Sequence, residues 1–150
     1  MQYQLVKSTT KDIKKLIGYK KATIYDYAKD LTCEEKEKIE LYIMNTIPDD
    51  IKRYFNIVCY DKTIGCLLLK DYEDGILLDE IYLEEEYRNQ GIGTDIIKNI
   101  LKENEIVYLW VYKENKKAIC LYQTLNFQII NETETRYFMK YEKSNEHGKD

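Results

Sequence analysis

Apolar positions recur at two distinct periods along this chain, and the changes of period divide it into short strands and amphipathic helices. Residues 3–6 read as a first strand. Thr9 or Thr10 then caps a helix that carries Ile13, Leu16, Ile17, Ile24 and Tyr27 at mixed three- and four-residue spacing. Thr32 followed by Glu35 has the form of a capping box and predicts a second helix. That helix would place Ile39, Tyr42 and Ile43 on one face and be limited by Pro48. Strand-like runs over residues 55–60 and 64–70 flank Asp61 and Lys62, which predicts a hairpin turning there. Another strand starts at Gly75 and continues through Leu83. Gly91 opens a helix whose Ile92, Ile96, Ile97, Ile100 and Leu101 form one apolar stripe. A buried-looking strand over 106–111, a helix over 115–125 ending near Asn126, and strands over 127–130 and 136–141 complete the pattern. The order β-α-α-β-β-β-α-β-α-β-β predicts a mixed α/β fold in one domain over residues 1–141, with a polar stretch 142–150 expected to fray.

Composition narrows the function classes. With 150 residues, 44% hydrophobic and 33% charged, the chain can bury a real core and is not of disordered type. A formal net charge of −4 and the lack of a dominant basic patch argue against a nucleic-acid partner. The lysines at 11, 14, 15, 20 and 21 have helical spacing and read as a solvated face. Four cysteines, at 33, 59, 66 and 120, form no CxxC pair, and the one histidine is His147 in the tail, so no metal site is expected. No leader-like apolar region is seen, nor any run near the ~18–20 apolar residues that cross a bilayer. A cytoplasmic location, free thiols and no membrane partner are the corresponding expectations.

The segment with the most chemical content is RNQGIGT at 88–94, lying between a strand and an amphipathic helix. Glycines allow close backbone approach, and the first N–H groups of a helix point outward at the positive end of its dipole. Such a turn suits a phosphate or pyrophosphate, and Arg88 would add a charge-assisted contact. An ordinary strand-to-helix turn is the alternative. A dinucleotide-binding module fits less well, because Ile96 stands where the third small residue of that fingerprint belongs. No Gly-Lys-Ser/Thr follows, which excludes a Walker loop.

The pattern R-x-x-G-x-G after LLDEIYLEEEY resembles the acyl-CoA signature of the GNAT superfamily. A second stretch, VYKENKKAICLYQTLNF, is similar to that family's V-x-x-x-N-x-x-A-x-x-x-Y-x-x-x-G-F segment through Val111, Asn115, Ala118, Tyr122 and Phe127. Asn126 stands where glycine is commoner, but asparagine also tolerates the left-handed conformation that ends helices. The resemblance covers residues 55–141, and residues 1–50 match only as two helices of variable sequence. It implies a mainly antiparallel GNAT-type sheet flanked by helices.

In functional terms, the resemblance implies transfer of an acetyl group from acetyl-CoA to a primary amine, in a ternary complex without a covalent enzyme intermediate. Arg88, Asn89, Gln90, Gly91, Ile92, Gly93 and Thr94 would hold the pyrophosphate. The backbone of Ile81, Tyr82 and Leu83 would pair with pantetheine, with an N–H near Leu83 polarising the thioester carbonyl. Asn115 would hydrogen-bond the coenzyme or serve as a plain helix cap. Tyr122, seven residues further on the same helix face, would protonate the departing thiolate or be a core-edge aromatic. Strand parity sets Glu80 and Tyr82 on one face and Asp79 and Ile81 on the other. Glu80 would then serve the acceptor amine as a base, or else be a structural carboxylate. Glu84, Glu85 and Glu86 read as a solvated loop. Tyr25, Tyr27 and Tyr42 would line the acceptor pocket or simply pack the helices on the sheet. Cys120, a conceivable acyl carrier, is expected to be buried. A non-catalytic acyl-CoA sensor is the rival function, the acceptor is a small-molecule or peptide amine, and monomer and homodimer both remain open.

Overall fold

The computed structural model describes residues 2–143. The strands and helices occur in the predicted order. They are β1 (Gln4–Lys7), α1 (Ile13–Tyr27), α2 (Cys33–Asp50), β2 (Tyr54–Cys59), β3 (Lys62–Tyr72), β4 (Gly75–Leu83), α3 (Ile92–Glu103), β5 (Ile106–Tyr112), α4 (Lys116–Thr124), β6 (Gln128–Glu132) and β7 (Arg136–Glu142). The sheet order is β1-β2-β3-β4-β5-β7-β6. β4 runs parallel to β5, whereas β1–β2, β2–β3, β5–β7 and β6–β7 are antiparallel. The chain divides into two compact units. One comprises Gln2–Leu68 with Ile81–Glu84; the other comprises Leu69–Glu80 and the chain from Glu85 onward.

In the first unit, Thr9 forms a capping box with Asp12 over a short 3-10 turn that leads into α1. Thr32 and Glu35 form the predicted box at the start of α2. Leu16 and Tyr19 of α1 meet Ile43 and Ile47 of α2 and Tyr54, Cys66 and Leu68 of the strands in one core. Burying each large aliphatic side chain contributes about 1.5–3 kcal/mol, which fixes the faces of both helices. Ile39, Ile43 and Ile47 stack at four-residue spacing. Tyr42, one residue from Ile43, is turned roughly 100° around the helix and is exposed, contrary to the face predicted for it. Pro48 also does not end α2, which continues to Asp50. Its missing N–H costs α2 the ladder bond to the Met44 carbonyl, and the helix runs only two residues beyond it. The hairpin turns at Tyr60 and Asp61, one residue before the predicted place, because both have positive φ (50° and 63°) and Cys59 pairs with Lys62. β1 begins at Gln4 and is exposed along its length.

The second unit is built on α3, whose predicted stripe of Ile92, Ile96, Ile97, Ile100 and Leu101 is buried throughout. Val107, Leu109 and Val111 of β5 and Met139 and Tyr141 of β7 are buried as well. β6 lies at the edge of the sheet and exposes all five residues. Asn126 adopts φ 74° just after α4, the left-handed conformation anticipated for it in place of glycine. Glu142 closes β7, and Lys143 N–H donates to the Glu105 carbonyl at 2.8 Å. His147 and the rest of the stretch expected to fray lie outside the described residues.

Candidate active site

A 3-10 turn over Glu85–Tyr87 carries the chain from β4 into the glycine-bearing loop. Arg88 N–H donates to the Glu85 carbonyl at 3.2 Å, and Asn89 follows with φ 62°. Gly91 has φ 88° and is the residue from which α3 springs. A Cβ on Gly91 would meet nothing within 4 Å, so the backbone conformation, not crowding, requires glycine there. The first ladder bond of α3 runs from Asp95 N–H to the Gly91 carbonyl at 3.0 Å. The N–H groups of Ile92, Gly93 and Thr94 therefore precede the ladder, at the positive end of the helix dipole. Ile92 points its side chain into the core, leaving only its backbone for a ligand. Arg88, Asn89 and Gln90 are exposed. Gln90 Nε2 donates to the Glu86 carbonyl at 2.9 Å, and Lys117 Nζ of α4 donates to Asn89 Oδ1.

Asn115 is the N-cap of α4, and its Oδ1 accepts from Ala118 N–H at 3.2 Å. The capping role is thus present, and it uses the side-chain oxygen while sparing Nδ2. Tyr122 lies two turns further along α4 and is 8% exposed. Its ring lies 5.6 Å from that of Phe127, whose N–H donates to the Tyr122 carbonyl at 2.9 Å. Cys120 is exposed, contrary to expectation, because α4 turns a narrow face inward on which only Tyr122 is fully buried.

Along β4, Leu78 and Glu80 are buried while the intervening Asp79 is half-buried, as strand alternation requires. Asp79 Oδ2 pairs with Lys70 Nζ at 2.9 Å. Pairing of β4 with β5 matches Ile76 to Val107, Leu77 to Tyr108 and Leu78 to Leu109, and includes no later residue of β4.

In the first unit, Ile81, Tyr82 and Leu83 are half-buried. A Cβ on Gly65 would lie 2.0 Å from the Tyr82 carbonyl oxygen, so glycine is what lets β3 approach β4 so closely. Glu84 N–H donates to the Ile64 carbonyl at 2.8 Å, which continues the strand contact past Leu83. The ring of Tyr82 stacks on that of Tyr19, centroids 4.8 Å apart. The Tyr19 hydroxyl donates to Glu84 Oε2 at 2.5 Å. Burial, and secondly the Glu84 carboxylate, pushes the Tyr19 phenol above its ordinary value, so it remains a donor. Glu84 is therefore not part of a solvated loop, although Glu85 and Glu86 are exposed. Alternation from Tyr82 to Glu84 was visible in the sequence, but a partner 65 residues away was not.

Among the predicted pocket tyrosines, Tyr25 donates its hydroxyl to Glu40 Oε1 at 3.3 Å, and Tyr27 is half-buried. Lys20 Nζ lies 5.7 Å from the exposed Tyr42 ring, and Lys21 pairs with Glu40 at 2.9 Å. Two of the five lysines read as a solvated face thus bridge α1 to α2. Among the described residues, no helix is long and apolar enough to cross a membrane, and no group of three or more His, Cys, Asp or Glu could hold a metal ion.

Comparison with known proteins places this geometry in a family. Thialysine N-epsilon-acetyltransferase of Sus scrofa is 39% identical over 72 residues, which take in 45% of this chain and 42% of that relative's length. The structure of PaiA N-acetyltransferase from Thermoplasma acidophilum in complex with coenzyme A shares the fold, with a TM-score of 0.72 and 20% identity over 95% of this chain and 99% of that one. The ribosomal-protein-S18-alanine N-acetyltransferase from Escherichia coli likewise shares it, with a TM-score of 0.62 and 19% identity over 94% of each chain. The profile of the acetyltransferase (GNAT) domain matches residues 52–129, a span that contains β4, the glycine-bearing loop, α3 and α4. With more than half of its length matched by that profile, the chain belongs to the GNAT acetyltransferase family.

Proposed function

We propose that this chain is an N-acetyltransferase that moves an acetyl group from acetyl-CoA to a primary amine within a ternary complex. The observation that carries this reading is the left-handed Gly91 from which α3 springs, with the N–H groups of Ile92, Gly93 and Thr94 ahead of the first ladder bond. Three adjacent donors at a helix N-terminus fit a pyrophosphate. Arg88, Asn89 and Gln90 are exposed beside them, and Arg88 adds a positive charge.

The remaining groups divide the chemistry of one displacement. Ile81, Tyr82 and Leu83 offer main-chain groups to the pantetheine amides, and the Leu83 N–H receives the charge that develops on the thioester oxygen. Asn115 hydrogen-bonds the coenzyme through Nδ2, since Oδ1 caps α4. Glu80 takes the proton of the acceptor ammonium, directly or through water, and frees the lone pair that attacks the thioester carbon. A C–N bond forms, the C–S bond breaks, Tyr122 gives its hydroxyl proton to the departing thiolate, and the second proton lost by the nitrogen passes through water to restore the Tyr122 phenol. The acceptor is a small-molecule or peptide amine, and the site of action is the cytoplasm. The free thiols of Cys59 and Cys66 inside the core accord with a reducing compartment.

Calorimetric titration with CoA, followed by acetyl-CoA turnover against a panel of primary amines, tests this reading. Binding together with amine-dependent release of CoA is expected. Binding without turnover on any amine would make the chain a non-catalytic acyl-CoA sensor, and failure of CoA to bind would reject the site.

A further inference from the structure

Lys117 stands where its charge works against its own helix. The first turn of α4 carries Lys116 and Lys117 and no acidic residue. The N-terminal end of a helix dipole is positive, so a cation in that turn is unfavourable. Asn115 caps the turn through a neutral side-chain oxygen and brings no compensating charge. Lys117 nevertheless does not turn away into solvent. Its Nζ donates to Oδ1 of Asn89, 28 positions earlier, in the glycine-bearing loop. Both residues belong to the compact unit that runs from Glu85 onward. The contact therefore sets the first turn of α4 beside the loop that opens α3. An ammonium carries three donor hydrogens, and Asn89 takes one of them. A residue that breaks a local rule while reaching toward a candidate site is expected where a ligand supplies the compensation.

Building on the acyl-transfer reading, we propose that Lys117, positioned by Asn89, is a further ligand of the coenzyme's diphosphate, which is then gripped from α4 as well as from the loop. The N–H groups of Ile92, Gly93 and Thr94 supply fixed dipoles, Arg88 supplies one full charge, and Lys117 brings a second from another element. Two cations and a row of main-chain donors match a doubly negative diphosphate. Bound there, the diphosphate turns the misplaced charge of Lys117 into a favourable one. Asn89 is a positioning residue in this arrangement: its side-chain oxygen holds Nζ at the loop, and its left-handed backbone, φ 62°, belongs to the turn that leads to Gly91.

Calorimetric titration of the full chain with CoA and with 3′-dephospho-CoA tests this assignment. Lys117→Gln should weaken both by the same factor, roughly tenfold, as for one lost hydrogen bond to a charged group, because both compounds keep the diphosphate. The factor should shrink at high salt, where an exposed charge is screened. Lys117→Arg keeps the charge and should restore most of the affinity. Asn89→Gly keeps the left-handed backbone and removes the oxygen. It should weaken CoA by a smaller factor and add little to Lys117→Gln. Without CoA, Lys117→Gln should melt no lower than wild type, since it takes a cation away from a helix N-terminus. Unchanged CoA affinity in Lys117→Gln at low salt overturns the proposal. So does a loss seen with CoA but absent with 3′-dephospho-CoA, which would place Lys117 on the 3′-phosphate. Wild-type protein that binds neither compound fails the acyl-transfer reading itself, and the proposal falls with it.

Discussion

Lys70 and Asp79 are joined by an ion pair of 2.9 Å, and the next residue along β4 is the buried Glu80. Alternation turns the side chains of these adjacent carboxylates to opposite faces. Asp79→Asn should cost at most about 1 kcal/mol in chemical denaturation, since a partly exposed pair contributes little, and should leave turnover intact. Glu80→Gln should lower kcat/KM for the amine and leave CoA affinity nearly unchanged. Raising the pH should partly rescue it, because solvent then supplies more of the unprotonated amine. Full activity in Glu80→Gln together with lost activity in Asp79→Asn would assign the amine to the other face.

Gly91→Val separates loop geometry from crowding. Nothing lies near the position of its Cβ, so the variant should fold, with a cost of about 1–2 kcal/mol for a side chain held at positive φ. If pyrophosphate binds at this loop, a branched side chain at the residue from which α3 springs should hinder its close approach to the backbone. The rise in melting temperature produced by CoA should disappear. A folded Gly91→Val protein that still gains stability from CoA would rule out pyrophosphate binding at this loop.

Tyr122→Phe removes one hydroxyl from a residue whose ring packing is otherwise preserved against Phe127. If Tyr122 protonates the thiolate, kcat should fall by roughly tenfold to a thousandfold, a span typical of a lost general acid. CoA affinity and melting temperature should stay close to wild type. An unchanged kcat, measured where chemistry limits the rate, would reduce Tyr122 to its packing role.

Tyr19 also predicts a pH dependence of stability. Its phenol is raised above the ordinary value of 10.0, so the folded protein holds that proton more tightly than the unfolded chain does. The associated stabilisation is complete below pH 10.0 and declines as the pH rises above it. Denaturation midpoints recorded from pH 8 to about 11 should fall more steeply in wild type than in Tyr19→Phe. Tyr25 and Tyr108 are raised as well and are retained in the variant, so the difference between the two curves isolates Tyr19. Parallel curves would contradict the burial and hydrogen bonding of this residue.

Local rules written into the sequence settled the succession of strands and helices, the Thr32–Glu35 capping box, the α3 stripe, the bounds of β4 and the left-handed end of α4. Each depends on residues within a few positions of one another, where periodicity, capping and turn chemistry act directly. The glycine-bearing loop was legible for the same reason: its donors and its left-handed residue lie within seven consecutive positions. Tertiary structure decided what depends on partners far away in the chain. Tyr42 and Ile43 are adjacent and both apolar, and only the packing of α1 on α2 selected Ile43 for the core. Pro48 carried a local stop signal, but α2 continues past it to Asp50 and the Ile51–Arg53 turn. Glu84 looks like its neighbours Glu85 and Glu86 in a run of acidic residues, and what sets it apart is the hydroxyl of Tyr19, 65 positions earlier. A pattern of hydrophobic and polar residues determines which way a side chain points from its own element. Which group it meets there is fixed only when elements distant in sequence pack together.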